Sequence, residues 1–220
     1  MTDLDPLHAS RGSRGWCLAP AALVVLALVP APVCAQVTFG ARIGALWSSN
    51  LVRDSIVTTV TTRPRIAPVV ALRVEVPVRD RYRIAGELAA SHSTLMSYSA
   101  NEDVHVTGLT VLVPALTVRV PATPWLTGEA RVGAVLYAPS RKTGTLFSAG
   151  APIRPTLGLG LSADRPLGRA WVVAIALQYD VHKFTTTALR AQGFVDASVV
   201  HRVAIMLAFS RRPDRHHATR

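Results

Sequence analysis

The chain has 220 residues, 50% of them hydrophobic, and a formal net charge of +11 at pH 7. This length is sufficient for one domain with a sizeable core, and the apolar content excludes intrinsic disorder as the main state. The positive charge is dispersed along the chain and no recognised nucleic-acid-binding motif is present, so we expect no nucleic-acid partner.

Residues 1–35 are predicted to be a secretory signal peptide. Basic residues precede an uncharged apolar run that ends in small residues, which is the pattern of an export signal with its cleavage site. A transmembrane anchor is the alternative, but the run is barely long enough to span a bilayer and prolines interrupt it. Both cysteines, Cys17 and Cys34, lie in this segment. The mature protein would therefore contain neither a thiol nor a disulfide.

The rest of the chain shows the two-residue period of β-strands. In VTFGARIGALW, residues 37–47, apolar side chains occupy every second position, and similar segments follow. Together they make eight apolar faces, near residues 37–47, 70–76, 82–90, 112–120, 126–136, 155–161, 171–179 and 203–209. These faces carry no charge, whereas the opposite faces carry arginines and carboxylates. A lipid-facing wall requires such sorting, because an Arg or Lys at the bilayer midplane costs about 2–4 kcal/mol, although a soluble sheet would also sort its faces.

The connections between the segments alternate in length along the chain. Short turns join the second segment to the third, the fourth to the fifth and the sixth to the seventh, while longer polar stretches make the other connections. Outer-membrane barrels have short periplasmic turns and long external loops. The alternation therefore favours a membrane barrel with both mature termini in the periplasm.

Aromatic residues cluster near the predicted strand ends, where a membrane–water interface accommodates an apolar ring and a polar tip. We predict two interfacial belts. The belt at the short-turn rim contains Phe39, Tyr82, Trp125, Trp171 and Phe209, and the belt at the long-loop rim contains Trp47, Tyr98, Tyr137 and Tyr179. Trp125 and Tyr137 have the inward parity of their segment and fit the belts less well.

These patterns resemble the eight-stranded outer-membrane barrels of the OmpA and OmpX type over about residues 36–209. The last segment, HRVAIMLAF, ends on Phe209 and looks like the C-terminal signal that the barrel-assembly machinery of such proteins reads. The resemblance implies an all-β fold, an eight-stranded antiparallel up-and-down transmembrane barrel in the outer membrane. It also implies outer-membrane lipid and lipopolysaccharide as surroundings, the assembly machinery as a partner during biogenesis, and a monomer. Residues 210–220 continue past the aromatic residue as a basic tail that we expect to be flexible.

The interior of an eight-stranded barrel is just wide enough for side chains to fill it, so inward charges must pair with one another. We predict a buried network in the lumen, favoured by the bidentate geometry of guanidinium groups. Its members are Arg42, Arg73, Glu75, Arg83, Glu87, Arg119, Glu129, Arg131 and Arg202. On size grounds a polar plug is favoured over a gated narrow conductance. Pro114 lies deep in the fourth segment and predicts a β-bulge there.

The expected function is structural, in envelope integrity or surface interaction, and not enzymatic. One alternative is a lipid-modifying barrel enzyme resembling lipid A deacylases or acyltransferases, with Ser91, His92, Ser93 and Thr94 as the nearest candidates for its chemistry. A second alternative is a soluble secreted barrel that carries a small ligand, which would need an apolar lumen. The chain has no glycine-rich phosphate loop and no Cys/His cluster with metal-ligand spacing, so we expect no cofactor and no metal.

Overall fold

The computed structural model describes residues 37–54, 60–79, 82–99, 102–140, 147, 152–168, 170–186, 189–190 and 198–211. All the described residues belong to one compact unit, Ala35–Arg220. The predicted signal peptide, 1–35, lies outside the described residues, as does the predicted tail beyond Arg211.

The described residues form ten β-strands. They are β1 (Thr38–Ser48), β2 (Val52–Asp54), β3 (Val60–Pro64), β4 (Ala67–Arg79), β5 (Tyr82–Tyr98), β6 (Asp103–Pro121), β7 (Leu126–Pro139), β8 (Ile153–Leu167), β9 (Trp171–Phe184) and β10 (Ser198–Arg211). None of the described helical segments is long and apolar enough to cross a membrane.

Eight of these strands, β1 and β4 to β10, close into a barrel. Each strand pairs with its sequence neighbour in the wall, and the first strand meets the last with Ala41 opposite Phe209. The pairings between the described strands of the wall are antiparallel, including β5 with β6, which completes the ring. The predicted eight-stranded antiparallel up-and-down barrel is confirmed.

The wall turns its apolar side outward. Ile43, Leu72 and Ile175 are 57%, 68% and 63% exposed, while the adjacent Arg42 and Arg73 are buried. Since successive side chains of a strand point to opposite faces, this inversion follows from the two-residue period once the barrel closes with the charged face inside.

The strands at the long-loop end extend further than the sequence predicts. The predicted segments ended where outward residues such as His92 and Thr110 become polar, but backbone pairing continues to Tyr98 opposite Asp103. The connection between β5 and β6 is therefore only 99–102, not a long loop.

The connection between β1 and β4 contains the short strands β2 and β3. These two strands pair with each other, and β3 also pairs with β5.

The predicted bulge at Pro114 is wrong. The β6–β7 register runs from Leu112 opposite Leu136 to Ala115 opposite Gly133 without a shift. Proline removes one hydrogen-bond donor, but the pairs on either side keep the strands aligned. Register shifts occur elsewhere, one of them between Pro77 and Arg79 in the β4–β5 ladder.

The barrel interior has two halves of different chemistry. Toward the short-turn end it is ionic and contains a cavity of about 310 Å³ whose lining includes Arg83, Arg119 and Asp164. Toward the long-loop end it is filled by apolar side chains that pack as one cluster. Among these are Leu46, Leu51, Val69, Leu95, Leu109, Val111, Val113, Val135, Phe147, Phe184 and Val200. Side chains thus pack in both halves of the interior, with the cavity between them at the short-turn end.

Strands β1 and β10 approach each other closely at Gly44, and an alanine substitution at this position tests that approach. A Cβ at this position would lie 2.7 Å from the Met206 Cα atom, closer than real Cβ atoms come, whereas a Cβ at Gly86 would meet nothing within 4 Å. We expect Gly44→Ala to lower the free energy of unfolding by about 1–3 kcal/mol through overpacking. Gly86→Ala should change it by less than about 0.5 kcal/mol. Urea unfolding in lipid vesicles measures both, and an equal response of the two variants would contradict the close approach.

Candidate functional site

Glu129 on β7 is the centre of the ionic half of the lumen. It pairs with Arg42 (Nη2–Oε1, 2.8 Å), Arg73 (Nη1–Oε2, 3.2 Å) and Arg119 (Nε–Oε1, 2.9 Å). These arginines come from β1, β4 and β6, so one carboxylate connects strands on different sides of the barrel. All four side chains have low exposure, between 4% and 13%.

Glu87 on β5 forms the second node of the network. Its Oε2 atom lies 3.1 Å from Arg42 Nη1 and 3.4 Å from Arg73 Nη1, and its Oε1 atom lies 3.2 Å from Arg131 Nη1. Two of the arginines that contact Glu129 therefore contact Glu87 as well. Sharing of this kind makes the charges one network rather than a set of separate pairs.

Glu75 on β4 carries the network toward the short-turn rim. Arg83 Nη1 and Arg119 Nη1 each lie 2.9 Å from its carboxylate, and Arg73 Nε lies 3.4 Å away. The Arg83 side chain is 51% exposed, so the network ends in a guanidinium group that reaches solvent.

Two aspartates that the predicted network does not include complete this part of the site. Asp180 Oδ1 lies 3.3 Å from Arg131 Nε. Asp164 Oδ2 lies 3.4 Å from Arg119 Nη2 and accepts a hydrogen bond from Thr127 Oγ1 at 3.0 Å. Both have the inward parity of their strands, and that parity was the signal that could have identified them.

Small inward residues on β8 make room for the network. A Cβ at Gly158 would lie 2.8 Å from Arg131 Cγ, and one at Gly160 would lie 3.4 Å from Glu129 Cβ. The alternation LGLGL at 157–161 therefore presents large leucines on the outside and leaves space on the inside for long charged side chains.

One predicted member of the network, Arg202, differs from the others in its contacts. Arg202 is 5% exposed, but its Nη1 atom has no hydrogen-bond partner, and none of the ion pairs between described residues includes it. Asp180, which faces Arg202 across the β9–β10 ladder, is held instead by Arg131 and by Gln178 Nε2 at 2.8 Å. Arg202 is therefore buried on the inward face as predicted and its charge interacts with Asp180 and Arg131, but it forms no ion pair with a described residue. The other predicted members have the contacts given above.

Most of the predicted aromatic belt lies on the outside of the barrel. The exposed fraction of these side chains ranges from 41% to 65% for Phe39, Trp47, Tyr82, Trp125, Trp171, Tyr179 and Phe209. Tyr98 is partly exposed, and the Arg63 guanidinium lies 4.7 Å above the centre of its ring.

Tyr137 is not a belt residue, contrary to the prediction. It is 1% exposed and lies inside the barrel, where its hydroxyl group is 2.6 Å from His182 Nε2 and its ring packs edge-to-face on Phe184. A buried phenol needs a hydrogen-bond partner, and His182 supplies it. The inward parity of Tyr137 was the better guide.

The residues considered for lipid-modifying chemistry lie on opposite faces of the barrel wall. His92 is exposed on the outside, where its Nδ1 atom is 2.9 Å from Thr110 Oγ1, while Ser91 is buried on the inside. Ser93 shares the inward parity of Ser91. Among the described residues no group of three or more His, Cys, Asp or Glu side chains is arranged to hold a metal ion.

No protein-family model matches the chain, and no curated protein sequence matches it either. Among solved structures it is similar to the outer membrane protein AlkL, with a TM-score of 0.52 and 11% identity over 84% of this chain and 93% of AlkL. It is also similar to Neisserial surface protein A, with a TM-score of 0.50 and 9% identity over 81% of this chain and 97% of that one. OprG from Pseudomonas aeruginosa is 16% identical over 80% of this chain and 95% of OprG, with a TM-score of 0.44. The fold is therefore that of the outer-membrane β-barrels.

Glu129→Gln tests whether the network stabilises the barrel. The substitution preserves shape but removes the charge that three arginines share, and breaking a buried ion pair costs about 3–5 kcal/mol. We expect the free energy of unfolding in urea to fall by that amount. The matched control is Asp164→Asn, at a side chain that is 25% exposed and 3.4 Å from its arginine, where we expect a loss below about 1 kcal/mol. Unchanged unfolding of Glu129→Gln would contradict the stabilising role of the network.

Proposed function

We propose that this protein spans the outer membrane as a monomeric barrel with a filled lumen and serves a structural or surface-interaction role. The observation that carries the proposal is the inverted wall, in which apolar side chains face outward and arginines and carboxylates face inward. Immersed in water, a continuous outward surface of Leu, Ile and Val would be an aggregation liability. In hydrocarbon the same surface is favourable, and the enclosed backbone leaves no unpaired strand edge in the wall.

The same inversion weighs against a soluble carrier of a small ligand. Such a barrel needs a polar exterior and an apolar cavity. Here the ionic half of the lumen is lined by Arg83, Arg119 and Asp164, and the apolar half is packed with side chains. Ligand transport in solution is therefore not the function that this arrangement favours.

The filling of the lumen favours anchoring over conduction. Ion pairs bridge strands across the short-turn half, and the apolar cluster occupies the other half with Phe147 and Phe184 each 1% exposed. What remains for interaction is the surface at the long-loop end, where β2, β3 and the extended β5–β6 hairpin provide ordered backbone. We infer that the barrel holds this surface at the cell exterior, with the short turns and both ends of the mature chain in the periplasm.

The surroundings proposed for this barrel are outer-membrane lipid and lipopolysaccharide. Arg63, Arg65 and Lys183 are exposed toward the long-loop end, where cationic side chains suit anionic head groups. Assembly of a closed wall whose first and last strands pair also supports a role for the barrel-assembly machinery during biogenesis.

Arginine substitutions at two depths of β8 test the membrane assignment. Leu159 lies near the middle of the strand and Leu167 at its short-turn end, and they are 65% and 60% exposed. We expect Leu159→Arg to lower the free energy of unfolding in lipid vesicles by about 2–4 kcal/mol and Leu167→Arg by no more than about 1 kcal/mol, because the cost depends on depth. Equal effects of the two substitutions, or recovery of the unaltered protein in the aqueous fraction without detergent, would contradict membrane insertion.

Planar-bilayer recording tests the filled lumen separately. We expect the purified full chain to insert without producing discrete ion-conducting steps, because side chains occupy both halves of the interior. A steady conductance that persists across preparations would contradict the filled lumen and favour a narrow channel instead.

A further inference from the structure

A second polar cluster lies inside the barrel, toward the long-loop end from the ionic network. It consists of Tyr137 on β7, Arg154 on β8, His182 on β9 and Arg202 on β10. His182 is opposite Thr156 of β8 and opposite Val200 of β10 in the strand ladders. Arg154 is two residues from Thr156, and Arg202 is two residues from Val200, so both arginines lie on the same inward face as His182. The charges that act on His182 are those of Arg154 and Arg202.

This cluster contains buried donors without acceptors. His182 and Arg202 are 4% and 5% exposed, and among the described residues the atoms Arg202 Nη1, His182 Nδ1 and Arg154 Nε have no hydrogen-bond partner. The Tyr137 hydroxyl group lies 2.6 Å from His182 Nε2. The donor in this contact depends on the imidazole tautomer: when the phenol donates to Nε2, the ring proton is on Nδ1, which is then a further donor. Arg154 Nη2 donates to the Thr185 carbonyl oxygen.

The cluster also carries two guanidinium charges, of which that of Arg202 interacts with Asp180 without forming an ion pair between described residues. Within the described part of the chain, no ion pair includes Arg154 or Arg202. Asp180 is the acidic residue opposite Arg202 in the ladder, but Arg131 and Gln178 hold its oxygens. A water molecule would accept hydrogen bonds from the donors without offsetting the charges, and a buried charge is unfavourable unless it is paired.

We propose that Arg154, His182 and Arg202 form an interior binding site for a small halide-sized anion, such as chloride. Arg154 and Arg202 supply the positive charge that a buried anion requires, and together with His182 they offer N–H groups on the same inward face of neighbouring strands. Tyr137, Phe184 and Val200 lie on the same strands as the cluster and are between 0% and 1% exposed, so this part of the interior is closed to bulk water. A monatomic anion suits this enclosure better than phosphate or a carboxylate ligand. The proposal concerns the interior of the folded barrel and is independent of the function proposed above.

The test measures the thermal unfolding of the full chain in detergent at constant ionic strength while sodium gluconate is replaced by sodium chloride or bromide. Because an anion that binds only the folded state stabilises it by mass action, the unfolding midpoint should rise saturably, by about 5–10 °C at 100 times the dissociation constant. Arg202→Gln should abolish this rise. Arg83→Gln, which removes a rim cation from the ionic network, should retain it.

Bromide-soaked crystals of the unaltered protein supply a readout that does not depend on the variants folding. We expect an anomalous peak between Arg202 Nη1 and His182 Nδ1. Two results would overturn the proposal: a midpoint with the same halide dependence in Arg202→Gln as in the unaltered protein, or crystals without a peak at this position. A halide response lost in Arg83→Gln and kept in Arg202→Gln would assign the anion to the short-turn cavity and would also overturn it.

Discussion

Charge neutralisation inside a narrow closed wall is the constraint on which this structure depends. Eight strands enclose so little space that an inward arginine has other side chains, and little bulk water, as its surroundings. Glu129 therefore contacts arginines from different strands. The inward positions of β8 near it are held by Gly158 and Gly160, whose missing side chains leave room for these contacts. The outward apolar face is the other side of the same arrangement, since each buried charge has apolar neighbours in sequence on the opposite side of the wall.

The two halves of the interior satisfy this constraint in different ways. In the short-turn half, carboxylates and guanidinium groups pair directly, and Arg83 connects the network to solvent. In the long-loop half an apolar cluster fills much of the interior, and Arg154 and Arg202 form no ion pair with a described residue. Ion pairs in the first half orient the strands, because breaking one leaves a buried charge. Apolar packing in the second half supports the extended strands that rise toward the long-loop end.

The two-residue period was enough to predict the wall and the side of it on which each charge lies, because parity is a property of the strand alone. Partner choice was not predictable in this way. Arg202 and Asp180 face each other across β9 and β10, yet Asp180 pairs with Arg131, since long side chains reach across the lumen as well as along it. Tyr137 was misassigned to a belt because its aromatic type was weighed above its inward parity.

The strand ends were the other part that the sequence pattern missed. The sequence pattern ends a strand where its outward face becomes polar, but at His92 the backbone pairing continues because hydrogen bonding between strands does not depend on what the side chains face. At Pro114 one missing donor was not enough to displace the register. The strand ends and the register at Pro114 depend on cooperative pairing along the whole ladder, which a local sequence pattern does not predict.

The inverted wall can be tested most directly by solid-state NMR of the protein in lipid vesicles, through magnetisation transfer from lipid acyl-chain protons to side-chain methyl groups. The account predicts strong transfer to Leu72 and Ile175, which are exposed, and none to Val113 and Val135, which are buried inside. Transfer to Val113 and Val135, with Leu72 and Ile175 in contact with water instead, would contradict it.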